Sequence, residues 1–187
     1  MRDPLADFDW TSLYGRYDSE CLKNGGLASN TAQLSSFQPR PTSDRTLYYA
    51  LLERFAQRTD GAPINLGAYE GMLYWKLYTQ PAAVANVCKP LAGRTILRDA
   101  ATRESGRISK NLPPKISKTP DEIIRLVMSL TKSLTGMASS CAIPVRTTFL
   151  HFLYPDVVPI FDKQVLKAVG VNDKGANQSY EVLREYV

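Results

Sequence analysis

The chain has few of the residues that metal binding and covalent catalysis require. Its 187 residues include one histidine, His151, and three cysteines, Cys21, Cys88 and Cys141. The cysteines are odd in number, widely spaced and form no Cys-x-x-Cys pair, so we expect free thiols and no zinc site. His151 lies in the apolar run Phe149–Leu153, which favours a buried, hydrogen-bonded histidine over a catalytic base. We therefore predict no metal and no cofactor.

Nucleotide-binding and membrane signatures are also missing. The sequence contains neither a G-x-x-x-x-G-K-[ST] phosphate loop nor a G-x-G-x-x-G turn. No apolar run approaches the roughly 18 residues of a membrane span. Acids and a proline occupy the first seven residues, where a signal peptide would carry apolar residues. We therefore expect a cytoplasmic protein without a membrane segment.

Helical periodicity dominates what is present. Leu47, Leu51 and Phe55 recur at four-residue spacing, and no comparable alternating strand pattern occurs. We predict an all-α, single compact domain of about six to eight helices over 45–187, preceded by an irregular, aromatic N-terminal arm over 1–44 that packs on it. Helices are predicted at 45–58, 68–79, from Pro81, from Pro120, at 144–154, from Asp162 and from Ser179.

The clearest local signal is Thr119-Pro120-Asp121-Glu122. Thr119 is a suitable N-cap, Pro120 suits the first helical position, and Glu122 stands where it would close a capping box. This pattern predicts a helix beginning at Pro120. Gly136 is expected to adopt the left-handed conformation beyond its end.

Positive charge is concentrated in one segment. Residues 89–118 carry eight basic and two acidic residues, whereas residues 1–88 carry eight and nine and residues 119–187 carry seven of each. An excess of this size favours a phosphate-bearing partner, and a solvated surface loop is the alternative interpretation. The basic residues are Lys89, Arg94, Arg98, Arg103, Arg107, Lys110, Lys115 and Lys118.

The region 134–169 reads as a helix, a turn containing Gly136, an apolar helix over Val145–Leu150, and the segment Pro159-Ile160-Phe161-Asp162. This order resembles the helix-hairpin-helix DNA glycosylase superfamily. In that family a glycine-containing hairpin contacts the DNA backbone, and a Pro-Val-Asp type segment presents a catalytic aspartate at a helix start. The resemblance implies that Asp162 is the catalytic acid/base group and that DNA, rather than RNA, is the partner.

The resemblance also implies the type of activity. Lyase-type members carry a lysine about 18 residues before the aspartate, and residues 142–146 of this chain contain none. Any activity is therefore expected to be monofunctional, with water as the attacking group. The cations expected to contact nucleic acid are the eight of the basic segment together with Arg146 and Lys163.

Two alternatives remain open at the level of sequence. Asp162 also suits the N-cap of its helix, which would account for an aspartate there without catalysis. The chain as a whole could instead be a non-enzymatic accessory protein that binds a protein or a small ligand. The sequence does not decide whether the protein is an enzyme.

Overall fold

All regular secondary structure in the described part of the chain is helical. The structure is a computed structural model that describes residues 32–59, 62–88, 95–130, 136–137, 143–161 and 183–184. Within these residues there are six α-helices and no strand, which confirms the all-α prediction. The helices are α1 (Asp44–Ala56), α2 (Leu66–Leu77), α3 (Pro81–Ala83), α4 (Thr95–Asn111), α5 (Pro120–Ser129) and α6 (Ile143–Leu153).

Helix α1 begins at a complete capping box. The Ser43 side chain accepts from the Thr46 backbone N–H at 3.1 Å, and Thr46 Oγ1 accepts from the Ser43 N–H at 3.0 Å. Reciprocal capping of this kind satisfies two backbone donors that the first turn leaves free. The predicted stripe of Leu47, Leu51 and Phe55 is buried, as its spacing required.

Helix α2 lies at the centre of the packing. It is buried on most sides, and it contacts α1, α4 and α6. Gly71 also allows close packing against Phe37, which precedes α1, because a Cβ atom there would come within 2.6 Å of the Phe37 ring. The buried apolar residues of the described helices join one cluster that includes Leu47, Leu73, Ile108, Val127 and Phe149.

The predicted third helix begins at Pro81, but its helix type changes after one turn. Only Pro81–Ala83 is α-helical, and Val84–Cys88 continues as a π-helical turn. Cys88, at the end of that turn, is buried with a free thiol, and burial raises its pKa to about 11. The thiol is therefore in its unreactive protonated form at neutral pH.

Helix α5 begins at Pro120 as predicted, but its capping differs from the prediction. Thr119 occupies the N-cap position without a side-chain bond to the backbone of the first turn. Glu122 instead accepts from the Ser117 backbone N–H at 2.9 Å and from the Ser117 hydroxyl. The predicted capping box is therefore wrong, because Ser117 satisfies the carboxylate that would have closed it.

Helix α6 follows its prediction closely, but the end of α5 does not. Gly136 has the expected left-handed φ of 89°, yet α5 already ends at Ser129 with Leu130 as its C-cap, so this glycine does not terminate the helix. Helix α6 covers Ile143–Leu153, one residue from the predicted limits at each end. The predicted helix from Asp162 lies outside the described residues, as does that from Ser179 except for the helical pair Leu183 and Arg184.

Candidate nucleic-acid interface

Three basic residues of α4 lie opposite its buried side. Ala101, Ser105 and Ile108 are buried, whereas Arg103, Arg107 and Lys110 are exposed. At 3.6 residues per turn these cations fall within about 60° of one another around the helix axis. Arg103 and Arg107 are four residues apart, so both lie on one helical face, and that face is turned to solvent.

One of these cations already has an acidic partner. Arg107 Nη2 lies 2.6 Å from Glu104 Oε1, and its Nε lies 3.1 and 3.0 Å from the two carboxylate oxygens. These hydrogen bonds lower the pKa of Glu104 and raise that of Arg107. Exposed pairs of this type contribute little to stability, but they reduce the positive charge available to an anionic partner.

The loop after α4 carries the next two cations and is held at both ends. Pro113 O accepts from the Tyr154 hydroxyl, and Arg58 Nη2 lies 3.4 Å from the same oxygen. At the other end, the Ser117 N–H and hydroxyl bind the Glu122 carboxylate. Lys115 and Lys118 are exposed on this anchored loop.

The exposed cations of α4 and of this loop are together called the basic surface. Its members are Arg103, Arg107, Lys110, Lys115 and Lys118.

The other predicted contacts do not all belong to this surface. Lys89, Arg94 and Lys163 lie outside the described residues, as does the side chain of Arg98. Arg146 is only 2% exposed, and its Nε donates to Met137 O at 2.9 Å. This arginine is therefore in the protein interior and is not part of an exposed interface. The sequence did not reveal this burial, because α6 also carries Thr147, Thr148 and His151 and has no single polar side.

Asp162 also lies outside the described residues, but the chain up to Phe161 is described. Phe161 is fully buried, and its N–H donates to Thr147 Oγ1 at 3.3 Å. His151, one turn further along α6, lies 2.7 Å from Val158 O through Nδ1. Two side chains of α6 therefore fix the backbone immediately before Asp162.

His151 is fully engaged in these contacts, as predicted. Because Val158 O can only accept, Nδ1 carries the proton, and Nε2 accepts from the Tyr48 hydroxyl at 2.8 Å. Burial lowers the pKa of His151, with partial opposition from the Val158 bond and Asp156. Both ring nitrogens are hydrogen-bonded within the protein, so His151 orients the Tyr48 hydroxyl and the backbone at Val158.

The aromatic residues at the C-terminal end of α2 are engaged in packing. Tyr74 is buried, and Trp75 lies 5.6 Å, between ring centroids, from both Tyr48 and Phe152. Trp75 and Tyr78 are partly buried against the core.

The sequence alone does not reveal three further residues that position this region, because their partners are far away along the chain. They are Tyr154, Arg58 and Thr147, with partners 41, 55 and 14 residues away.

The comparisons with known proteins add no family to this description. No protein family, curated protein or solved structure matches the chain. Among the described residues, no group of three or more His, Cys, Asp or Glu side chains is placed to hold a metal ion. No helix in that part of the chain is long and apolar enough to cross a membrane.

Proposed function

We propose that this protein binds nucleic acid through the phosphate groups that contact its basic surface. The observation that carries the proposal is the solvent-facing row of Arg103, Arg107 and Lys110 on α4. Arginine and lysine side chains that neutralise phosphates release condensed counterions, which drives binding and makes it sensitive to salt. Anchoring of Lys115 and Lys118 reduces the entropy that their loop loses when a partner binds.

Two charge-matched double variants test the proposal. Arg103→Gln with Lys110→Gln removes two cations of the basic surface, whereas Arg40→Gln with Arg45→Gln removes two exposed cations before and within α1. Binding to a labelled DNA duplex is measured by fluorescence anisotropy over a range of salt concentrations. The first variant should lower the affinity for the duplex about tenfold. It should also reduce the salt slope, which is the slope of log affinity against log salt concentration, by about two.

The control variant should bind within about threefold of the unmodified protein. Equal losses in the two variants would mean that net charge, not the basic surface, governs binding. Absence of binding at low salt would contradict the proposal and favour the non-enzymatic accessory protein that binds a protein or small ligand.

A finer proposal concerns base excision by a monofunctional glycosylase in which Asp162 acts. Its support is the resemblance of region 134–169 together with the two bonds from Thr147 and His151 that fix the chain before Asp162. Breaking an N-glycosidic bond develops positive charge on the sugar. A carboxylate held beside the sugar would stabilise that charge and orient the attacking water.

Asp162→Asn separates catalysis from helix capping. Asparagine and aspartate are similarly good N-caps, so the variant should keep its stability and its DNA binding. The assay follows base release from duplexes that each carry one deaminated, alkylated or oxidised base. Release by the unmodified protein and none by the variant would support the finer proposal, and no release from any duplex by the unmodified protein would contradict it.

A further inference from the structure

The basic surface lacks the side chains that bind single strands. Residues 89–118 contain no phenylalanine, tyrosine or tryptophan. Proteins that bind single-stranded nucleic acid without sequence preference combine positive charge with aromatic side chains on which bases stack. A surface without aromatic side chains lacks this aromatic stacking contribution from exposed bases.

The aromatic side chains elsewhere in the described part of the chain do not compensate. Tyr154, which reaches the loop, is buried and uses its hydroxyl on Pro113. Tyr49, at 53% exposure, is the single large aromatic residue that stands well exposed among the described residues. It lies on α1 with Tyr48 and Arg45 against its ring, at 5.6 and 5.9 Å.

A surface that attracts phosphate alone favours the partner with the densest phosphate charge. Duplex DNA carries one charge per roughly 1.7 Å of its axis, about twice the linear density of one of its strands. The basic surface also has a fixed shape, because Arg103 and Lys110 stand about 10 Å apart along the axis of one helix. A stiff duplex meets a fixed array without further ordering, whereas a flexible single strand must lose conformational freedom.

Base reading also has little support on this surface. Asn111 is the one amide side chain in residues 89–118, and its Nδ2 donates to Arg107 O at 2.9 Å. Glu104 engages Arg107 itself. Asn111 and Glu104 are therefore both engaged within α4, whereas the arginine and lysine side chains of the surface suit phosphate contact.

We infer that the partner of the basic surface is double-stranded nucleic acid, bound in preference to single strands. The inference rests on the proposed function, since it specifies the partner of the same surface. It attributes the preference for a duplex over single strands to the higher charge density of the duplex and to the lack of aromatic side chains on which bases could stack.

The test compares one duplex with its own two strands. A labelled DNA duplex of about 25 base pairs, and each strand alone with a sequence that forms no hairpin, are titrated by anisotropy in the same buffer. We expect the duplex to bind at least tenfold more tightly than either strand. Arg103→Gln with Lys110→Gln should remove most of that difference, and Tyr49→Ala should change neither affinity.

The outcomes distinguish the preference for duplexes from nucleic-acid binding itself. Equal or tighter binding of a single strand would overturn the inference and leave nucleic-acid binding intact. A decrease in single-strand binding in Tyr49→Ala would also overturn it, because it would reveal base stacking. Failure of all three probes to bind would contradict the proposed function itself.

Discussion

The Tyr154 hydroxyl donates a hydrogen bond to the carbonyl oxygen of Pro113. Tyr154 directly follows α6, and Pro113 begins the loop that carries Lys115 and Lys118. Arg58 shares the same oxygen at 3.4 Å and stands 5.8 Å from the centre of the Tyr154 ring. Tyr154 and Arg58 thus hold the Pro113 end of this loop through one carbonyl oxygen.

Removal of that hydroxyl should loosen the loop. Tyr154→Phe keeps the ring and deletes the donor, so we expect a loss of about 1 kcal/mol in the free energy of unfolding. Affinity for a DNA duplex should fall a few-fold, because the freed loop must be ordered again on binding. Urea denaturation and anisotropy measure the two effects. Tyr49→Phe, at an exposed position, is the control, and equal changes in both variants would contradict the anchoring role.

The pair of Arg107 and Glu104 should restrain binding. Glu104→Gln removes the acidic partner and makes Arg107 available, so duplex affinity should rise and the salt slope should steepen by about one. Asp99→Asn removes the same charge from an exposed position of α4 and leaves the Arg107 pair intact. A greater gain for Glu104→Gln measures the release of Arg107. Identical gains would show that the ion pair has no specific effect.

Two glycines make a matched test of helix packing. A Cβ atom at Gly71 would meet the Phe37 ring at 2.6 Å, whereas one at Gly106 would lie 3.6 Å from Pro63 Cγ, an ordinary contact. Gly71→Ala should therefore destabilise the protein by about 1–3 kcal/mol. Gly106→Ala should stabilise it by up to about 1 kcal/mol, because alanine is the better helix former. Thermal and urea unfolding report both, and a neutral Gly71→Ala would contradict the packing described around Phe37.

His151 should make stability depend on pH. Burial lowers its folded-state pKa below the ordinary value of 6.5, so between the two pKa values the unfolded chain binds more protons. Stability should therefore decrease as the pH falls from 6.5 towards the folded-state pKa. His151→Gln should reduce this dependence in urea titrations over that range. Since the chain has one histidine, NMR can follow its ring directly, and a midpoint at or above 6.5 would contradict the prediction.

Local patterns predicted α1, α2, α5 and α6 because the causes of these helices are local, whereas the 17-residue helix α4 was not among the predicted helices. Ser43 caps α1, Pro120 begins α5, and the stripe from Leu47 to Phe55 is buried. The capping box at Thr119 was predicted wrongly because a nearby competitor, Ser117, binds Glu122 instead. Sequence spacing identifies a suitable partner for a side chain, but it does not rank that partner against its neighbours.

The candidate site was less predictable because exposure depends on distant contacts. Charge density located the basic segment, and helical spacing placed Arg103 and Arg107 on one face. The predicted contacts also included Arg146, outside that segment, which is buried against Met137 O in the turn before α6. The anchors Tyr154 and Arg58 were missed because their partner, Pro113, is far away in the sequence.

Lysine footprinting tests the central claim most directly. The free protein and its complex with a DNA duplex are acylated briefly at low salt, and modification of each lysine is quantified by mass spectrometry. We predict protection of Lys110, Lys115 and Lys118 in the complex and unchanged modification of the half-buried Lys76 on α2. Unchanged modification of all three surface lysines in a complex that forms would contradict the claim that the basic surface is the nucleic-acid interface.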